Sequence, residues 1–404
     1  MKKVVFLNLI LLIGTSILSA QVHQNWRGPE RMGIYHETGL LQQWPAGGPQ
    51  MIWAYEALGE GFTSPVIENG KIYITGMEER TGYLYVLSMD GKPERKFPYG
   101  MEFYRAYPGS RSTPVIAGNM AYIVSGHGVL ICMNVENGSV AWQRDLFNDF
   151  DGRNLRWGFT ENLLVDGDRI YCTPGGRKNN LVALNRHTGE VIWSSPGAGG
   201  LSAYCSPLLI DHYGRRQIVT MMQSDVVGID AGTGRQMWSH PHANNRNIHP
   251  NTPIYHEGSI YAFSGYGKGG VKLKINSVGD GVTEEWFNSD MDNQIGGAVL
   301  VDGFLYGSGD RNRFWFKVDW ETGETVSRTR DIDKGTVIFA DGRLYCYTER
   351  GELALLEPAR DGLAVRGQTN ITLGANQHWA HLVIDNGILY VRRGNALIAF
   401  GIRE

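Results

Sequence analysis

Cysteine is scarce in this chain, and the few positions it occupies give no support for the common cysteine-based sites. The 404 residues include only Cys132, Cys172, Cys205 and Cys346. No two of them are adjacent or form a Cys-x-x-Cys pair, so their spacing offers no support for a zinc site. We expect four buried thiols that behave as small hydrophobic side chains, although an oxidising compartment would also permit a disulfide.

Long basic runs and common catalytic motifs are also missing. The formal net charge is −3, so a nucleic-acid partner has no electrostatic support. Neither His-Glu-x-x-His nor Gly-x-Ser-x-Gly occurs. The glycine-rich stretches 175–176 and 265–270 have no helical pattern behind them that could bind phosphate, so we interpret them as hairpin loops. His378 and His381 lie at a strand entrance, where their spacing directs them to opposite faces.

The first 20 residues have the pattern of an export signal. Lys2 and Lys3 precede an apolar stretch, 4–17, and Ala20 offers a small residue for cleavage. Polar and small residues interrupt the stretch, which makes it short for a membrane anchor. We therefore expect an exported protein, periplasmic or extracellular, with no transmembrane span after cleavage. No cysteine follows the expected cut, so we expect no lipid anchor at this junction.

A repeated pattern dominates the rest of the chain. Each unit has a Ser/Thr-Pro or its equivalent, an apolar run, an Asn/Asp-Gly turn, an aromatic strand, another apolar strand and often Thr-Gly and Trp. The equivalent positions are Ser64, Thr113, Glu161, Ser206, Thr252, Gly297, Thr336 and His381. A period of roughly 40–50 residues with about four strands per unit is typical of a β-propeller. The sequence thus predicts an all-β, eight-bladed propeller of antiparallel four-stranded blades, with no further domain.

The end of the chain predicts how the ring closes. The last unit offers only three strands, within 381–400, which would leave an open edge. Residues 49–56 resemble an outer strand, with Trp53 at the repeated tryptophan position. We expect this segment to complete the last blade, so that 49–404 forms the propeller. The lead-in segment 21–48 is expected to cover one face or the rim.

Tryptophan follows a turn glycine at a fixed spacing in several units. The clearest pairs are Gly138 and Trp142, Gly189 and Trp193, and Gly234 and Trp238. This regularity favours packing between neighbouring blades, with a turn glycine close to each ring, over a cofactor-stacking role. Units six and seven lack the pattern, and we expect looser outer edges there.

Irregular repeat positions are the first candidates for a binding site. Most units carry Ser or Thr at the Ser64 position, whereas Glu161, Gly297 and His381 depart from it. A carboxylate and an imidazole near the channel mouth could bind a cation, a proton or a polar ligand. The alternative is that they form hydrogen bonds across blades.

Arginine and aromatic residues precede the inner strands or lie in the loops between strands. These further candidates are Arg111, Trp157, Tyr204, His249, Asn251, Gln294, Asp310, Arg311 and Trp379. Converging on one face, they could hold an anionic planar ligand by bidentate bonds and stacking. The same set could bind a peptide or a glycan.

The repeat resembles that of a known superfamily. Residues 183–193 and 228–238 are similar to the Ala-x-Asp-x-x-Thr-Gly-x-x-x-Trp repeat of quinoprotein-like propellers, which include pyrroloquinoline quinone (PQQ) dehydrogenases and the BamB outer-membrane assembly factors. The lead-in 26–29, Trp-Arg-Gly-Pro, resembles the start of exported bacterial PQQ-like repeat proteins. The similarity covers nearly all of the chain after the signal and is specific for the fold rather than for an activity.

The resemblance leaves two functional hypotheses. The first is a non-catalytic scaffold, expected as a monomer without a cofactor, that binds a protein or a small polar ligand at one propeller face and could be BamB-like in the cell envelope. The second is a PQQ-dependent alcohol or sugar oxidoreductase with calcium.

Dehydrogenases of this kind need a calcium ion, a general-base Asp, a Trp floor under the quinone and often two adjacent cysteines. Trp157 or Trp379 could be the floor. The oxygen ligands would come from Glu161, Asn162, Asn251, Asn293 and Asp310.

Overall fold

A computed structural model describes residues 22–23, 26–197, 200–360 and 362–404. Residues 1–20, which carry the predicted signal, lie outside this part. The described residues form eight sheets, each with four antiparallel strands and two of them with an added fifth strand, and these are the blades of a propeller. The fold class predicted from the repeat is thus confirmed. No helix in this part is long and apolar enough to cross a membrane.

In each blade the first strand lines the central channel and the fourth lies at the rim, because the first strands of neighbouring blades contact one another. Blades 1 and 2 contain Val66–Glu68, Lys71–Glu78, Thr81–Ser88 and Pro93–Met101, then Val115–Ala117, Met120–Val124, Val129–Asn134 and Val140–Asp145. Blades 3 and 4 contain Leu164–Asp166, Arg169–Cys172, Leu181–Asn185 and Val191–Ser195, then Leu208–His212, Arg215–Met221, Asp225–Asp230 and Gln236–Pro241.

The second half of the ring repeats this arrangement. Blades 5 and 6 contain Ile254–His256, Ser259–Ser264, Gly269–Ile275 and Val282–Asn288, then Ala298–Val301, Phe304–Ser308, Trp315–Asp319 and Thr325–Thr329. Blades 7 and 8 contain Gly335–Ala340, Arg343–Thr348, Glu352–Ala359 and Gly362–Asn370, then Val383–Asp385, Ile388–Arg393, Ala396–Gly401 and Gln50–Tyr55.

The ring is closed by the strand that the sequence predicts. Gln50–Tyr55 pairs antiparallel with Ala396–Gly401, and Gln50 lies opposite Gly401. An early strand thus completes the last blade and removes its open edge.

The first part of the lead-in segment lies inside the channel, which the sequence does not predict. Its second part runs over one face to the rim, as expected: Leu40 N–H donates to Asp341 Oδ2 at 2.8 Å, and Trp44 N–H donates to the carbonyl of Arg366, on the outer strand of blade 7, at 3.0 Å. Val22–His23 adds antiparallel to Leu164–Asp166 of blade 3. Ile34–Tyr35 adds parallel to Gly335–Ala340 of blade 7. The inner strands present unpaired backbone groups to the channel, and these short strands satisfy some of them. Between the two strands, Trp26, Arg27 and Arg31 are buried in the channel, whereas Pro29 and Glu30 are exposed.

The lead-in also supplies packing that the repeat omits. Trp44 is buried between blades 7 and 8, where its ring centroid lies 6.1 Å from that of Tyr345. A Cβ atom at Gly367, on the outer strand of blade 7, would lie 2.4 Å from the Trp44 side chain. That outer strand has nine residues, Gly362–Asn370. The outer strand of blade 7 thus has a packing partner from outside the repeat, and the looser edge expected there stays a prediction.

The repeated tryptophans pack against the next blade, as predicted. An added Cβ at the turn glycine of the following blade would lie 2.5–2.8 Å from the ring in four cases. The pairs are Trp53 with Gly91, Trp142 with Gly189, Trp193 with Gly234 and Trp286 with Gly323. Trp238 differs, because its indole N–H donates to Gln217 Oε1 at 2.8 Å within its own blade. The four cysteines are free and buried, as expected for structural thiols.

Candidate functional site

Hydrogen bonds at the repeat-equivalent positions link the blades around the channel. The Ser64 backbone N–H donates to Thr113 Oγ1 at 3.1 Å, and the Ser64 hydroxyl donates to the carbonyl of His381 at 2.9 Å. The Thr252 hydroxyl donates to the carbonyl of Ser206 at 3.0 Å. Ser and Thr recur here because each hydroxyl can serve both as donor and as acceptor between neighbouring inner strands.

Arg27 of the lead-in occupies the channel beside two of the irregular positions. Its Nη2 donates to the carbonyl of Ala298 at 2.8 Å, and its Nη1 lies 2.9 Å from His381 Nδ1. Gly297 has φ +70°, and a Cβ there would lie 2.2 Å from Arg27 Nη1. His381 is thus a partner of the guanidinium, and Gly297 leaves the space that the guanidinium needs.

Arg31 lies on the side of the third irregular position. Its guanidinium donates to the Asn162 carbonyl and lies 5.8 Å from the Trp26 ring centroid. Glu161 is fully buried and accepts hydrogen bonds from the N–H and hydroxyl of Thr173. Burial raises the pKa of Glu161 to about 7, although Thr173 and the Arg31 charge oppose this. All three departures from the repeat therefore lie beside arginines of the same chain.

Several other predicted residues have internal partners. The buried Asn251 donates to the carbonyl of Asn293 at 2.8 Å and accepts from Gly297 N–H at 3.1 Å. The ring of His249 is buried, its Nε2 lies 3.0 Å from the carbonyl of Gln223, and burial lowers its pKa to about 4. Asp310 forms an ion pair with Lys334 at 2.6 Å.

The residues proposed as calcium ligands do not form one site. Asn162 Oδ1 accepts from Thr113 N–H at 2.7 Å, and Asn293 Oδ1 accepts from Gly296 N–H at 2.6 Å. Among the described residues, no group of three or more His, Cys, Asp or Glu side chains is arranged to hold a metal ion. Because Trp26, Arg27 and Arg31 are buried in the channel, the residues present do not fit PQQ with calcium on the propeller axis.

One face of the propeller carries a row of aromatic side chains. We call it the entry face; it is formed by the segments before the inner strands and by the loops that join second and third strands. The ring centroid of Trp379 lies 5.2 Å from that of Phe62 and 4.9 Å from that of Tyr107. The Tyr107 ring lies 5.8 Å from Trp157, and Tyr107 is 43% exposed. These four residues form the aromatic row.

Arg111 fixes the loop that carries Tyr107, one of the residues of the aromatic row. Its Nη2 donates to the carbonyl oxygens of Ala106 at 2.7 Å and Tyr107 at 2.5 Å. Its guanidinium also lies 4.8 Å from the Phe103 ring centroid. Burial lowers the pKa of Arg111 to about 10. Arg111 thus positions the loop that carries Tyr107, with part of its hydrogen-bonding capacity already used.

The aromatic row leads into a cleft of about 350 Å³ between blades 3, 4 and 5. The cleft is lined by Leu155, Arg156, Trp157, Tyr204, Gln223, Arg246, Asn247, Ile248 and Tyr266. The Tyr204 hydroxyl accepts a hydrogen bond from Trp157 N–H at 3.2 Å, and the Gln294 amide donates to the Tyr266 hydroxyl at 2.7 Å.

The predicted site residues therefore fall into two groups, those that lie at the row and the cleft and those that are buried or paired within the protein. It brings Arg111, Trp157, Tyr204, Gln294 and Trp379 to the row and the cleft, whereas Glu161, His249, Asn251 and His381 are buried and Asp310 pairs with Lys334. Arg311 is exposed, and an added Cβ at Gly267 would contact its guanidinium.

The sequence did not single out several residues that the structure places in the channel or on the entry face. In the channel these are Arg27 and Arg31, and on the entry face Phe62 and Arg246. The arginines between glycines in 26–33 and the polar stretch 244–247 were the available signals.

A second, more open depression of about 590 Å³ lies on the opposite face, between the hairpin turns of blades 3 and 4. Its wall contains an ion pair between Arg216 and Asp166 at 2.7 Å. Arg169 donates to the carbonyl of Ala231 at 2.7 Å. Because these charges are engaged with one another and with backbone, we favour the smaller entry-face cleft as the candidate site.

Curated relatives match parts of the chain. Outer membrane protein assembly factor BamB of Kangiella koreensis is 36% identical over 86 residues, 21% of this chain and 19% of the relative. The factor of the same name from Shewanella oneidensis is 24% identical over 228 residues, 54% of this chain and 52% of the relative. The chain thus spans about half or less of the length of these relatives.

Solved propellers share the fold. BamB from Moraxella catarrhalis superposes with a TM-score of 0.65 at 14% identity and covers 88% of this chain and 100% of that one. Quinohemoprotein alcohol dehydrogenase from Comamonas testosteroni gives a TM-score of 0.61 at 11% identity and covers 92% of this chain and 79% of that one. At these identities the likeness shows the architecture alone.

A family profile described as outer membrane protein assembly factor BamB matches residues 48–143 and 92–326. The two matches overlap and together cover more than half of the chain. They agree with the PQQ-like repeat. The chain therefore belongs to this family of BamB-related, PQQ-like propellers.

Proposed function

We propose that this protein is a non-catalytic scaffold of the cell envelope that binds proteins during outer-membrane protein assembly. One observation carries the proposal: the chain fills its own channel with Trp26, Arg27 and Arg31, while the aromatic row on the entry face remains accessible. Exposed aromatic side chains beside arginines are typical of protein-binding surfaces. The matches to BamB factors support the proposal that its partners are proteins of outer-membrane protein assembly.

The proposal includes export to the periplasm or the cell exterior, action as a monomer, and no cofactor. The proposed lack of catalysis is supported by the side chains that occupy the channel. The carboxylate and the imidazole that could have done chemistry there, Glu161 and His381, are both buried beside arginines of the lead-in.

The experiment is complementation in the native host. Deletion of the gene is expected to lower the level of β-barrel proteins in isolated outer membranes, as measured by quantitative proteomics. The wild-type gene should restore that level, and a Trp157→Ala, Trp379→Ala double variant should not. Tyr213→Ala is the matched control, because Tyr213 is a 76% exposed aromatic residue in a hairpin turn of the opposite face. Unchanged outer-membrane protein levels after deletion would refute the proposal.

The oxidoreductase alternative is tested on the purified protein. Calorimetric titration with PQQ and calcium, followed by dye reduction in the presence of alcohols or sugars, should show neither stoichiometric binding nor activity. Stoichiometric binding together with substrate-dependent dye reduction would instead support the enzyme.

A further inference from the structure

The entry-face cleft combines aromatic surfaces with positive charge. Trp157, Tyr204 and Tyr266 supply rings, and Arg156 and Arg246 are exposed at its edge. The lining includes no Asp or Glu. Its volume of about 350 Å³ is at the lower end of the range for ligand sites, roughly 300–1,000 Å³. That space suits one aromatic side chain and the groups beside it.

The positive charge of the cleft is not balanced by its neighbours. Within the described residues, no carboxylate lies within ion-pair distance of Arg156 or Arg246, and Arg156 lies 4.7 Å from the Trp157 ring centroid. The nearby carboxylates are engaged elsewhere: Asp310 pairs with Lys334, and Asp292 accepts N–H groups of Gly267 and Asp310 at 2.8 Å. An arginine without an acceptor favours a ligand that carries carboxylates.

Three tyrosines of this face have a backbone conformation that bulky residues rarely adopt. Their φ angles are +48° at Tyr107, +71° at Tyr204 and +63° at Tyr266. Such a conformation costs on the order of 1–3 kcal/mol per residue and is found preferentially at binding sites. The fold therefore holds these rings on the entry face at the expense of local backbone energy.

The aromatic row gives the site a length and a direction. Its successive ring centroids lie 5.2, 4.9 and 5.8 Å apart, from Phe62 through Trp379 and Tyr107 to Trp157. An extended chain of about five residues covers this distance. Because Trp157 also lines the cleft, a bound strand could lie along the row and end with one side chain in the cleft.

We propose that the row and the cleft together bind an extended acidic peptide segment that carries an aromatic side chain. The aromatic side chain occupies the cleft against Tyr204 and Trp157, and flanking carboxylates bind Arg156 and Arg246. The inference rests on the proposed scaffold function and specifies the chemistry of its partner. A basic segment is disfavoured by the two arginines, and an uncharged glycan could accept hydrogen bonds from them but would supply no opposite charge.

The test is calorimetric titration of the purified protein with a synthetic peptide, Gly-Asp-Asp-Phe-Asp-Asp-Gly, blocked at both ends. We expect saturable binding that weakens as salt is raised, because exposed charges are screened. Replacing the Asp residues of the peptide by Lys should abolish binding. Arg156→Gln and Arg246→Gln should each weaken binding roughly tenfold, whereas Arg235→Gln, an exposed hairpin arginine of blade 4, should not.

Several outcomes would overturn the inference. Equal affinity for the Asp and Lys peptides, or full affinity in both folded arginine variants, would show that carboxylates are not recognised. If a variant fails to fold, the salt dependence of the wild type decides the same point. Binding of PQQ alone at the cleft, without binding of the peptide, would assign the cleft to a small planar carboxylate. None of these results changes the complementation experiment, so the scaffold function can stand if the peptide chemistry fails.

Discussion

Arg27 Nη1 lies 2.9 Å from His381 Nδ1, across a sequence separation of 354 residues. Since a guanidinium can only donate, His381 Nδ1 must accept, and the ring proton must be on Nε2. That nitrogen lies 3.1 Å from the carbonyl of Ile295 and donates to it. Burial and the Arg27 charge hold the pKa of His381 well below its usual range. A neutral imidazole in a single tautomer thus connects the lead-in, blade 8 and the segment before blade 6.

Arg27→Ala should destabilise the protein by about 3 kcal/mol, because buried carbonyl oxygens and His381 Nδ1 would lose a charged donor. Arg27→Lys should recover part of the loss, since it restores the charge but not the planar fork. Denaturant unfolding measures the change, with Arg235→Ala, an exposed arginine, as the control. A loss no larger than that of the control would show that Arg27 does not anchor the lead-in.

Gly297→Ala should destabilise the protein for two separable reasons: the φ of +70° and the approach of the new Cβ to 2.2 Å from Arg27 Nη1. In the Arg27→Ala background only the backbone cost remains, so the two substitutions should be non-additive by about 1 kcal/mol or more. A double-mutant cycle on unfolding free energies measures this coupling. Strict additivity would contradict the packing of Arg27 on Gly297.

Glu161→Gln should change how stability depends on pH. The pKa of Glu161 is raised from 4.5 to about 7 by burial, so the folded state binds this proton more tightly than the unfolded state. The wild type therefore loses stability as pH rises through this window, by at most about 1.4 kcal/mol per pH unit. The variant cannot ionise there, so its stability relative to wild type should rise from about pH 5 to pH 8.

Unfolding free energies of both proteins at the two pH values measure this difference, and other titrating groups cancel in the comparison. Glu190→Gln, at an exposed position of the same blade, should show no such trend. A pH-independent difference for Glu161→Gln would mean that the carboxyl ionises as it does in water.

Gly234→Ala should destabilise the propeller more than Gly214→Ala. Both glycines have positive φ, +75° and +81°, so both variants carry the same kind of backbone strain. Only at Gly234 would the new Cβ meet a neighbour, the Trp193 ring at 2.5 Å, whereas nothing lies within 4 Å at Gly214. Overpacking should add about 1–2 kcal/mol, measured as the difference in unfolding free energy. Equal losses would show that the Trp193 ring moves aside freely.

The blades could be predicted from the sequence because their signals are local. Asp-Gly and Thr-Gly turns lie a few residues from the strands they join, and Trp53 marked the closing strand by its match to the repeat. The place of the lead-in could not be predicted in this way. Residues 22–23 and 26–35 have no repeat to set their register, and their partners lie on blades 3, 6, 7 and 8.

The candidate site, too, could be predicted only in part, because local signals mark unusual residues but not their distant partners. Comparison of repeat positions shows that Glu161, Gly297 and His381 differ from the other units, but the sequence of a single unit does not show which groups such a residue faces. In the structure, the groups that face these positions are the guanidinium groups of Arg27 and Arg31, which belong to the same chain. The aromatic row depends on distances between loops of blades 1, 2, 3 and 8, which strand patterns do not encode.

Because the lead-in lies in the channel, it affects how the propeller unfolds. In an open array of repeats each unit contacts only its neighbours, so the ends can fray without the middle. Here Val22–His23 and Ile34–Tyr35 pair with inner strands on opposite sides of the ring, and Gln50–Tyr55 forms the rim of the last blade. Loss of any one of these blades would release contacts that hold the others, so the eight blades should unfold as one cooperative unit. Residues synthesised first must also wait for the last blade, and contacts so distant in sequence should make the final folding step slow.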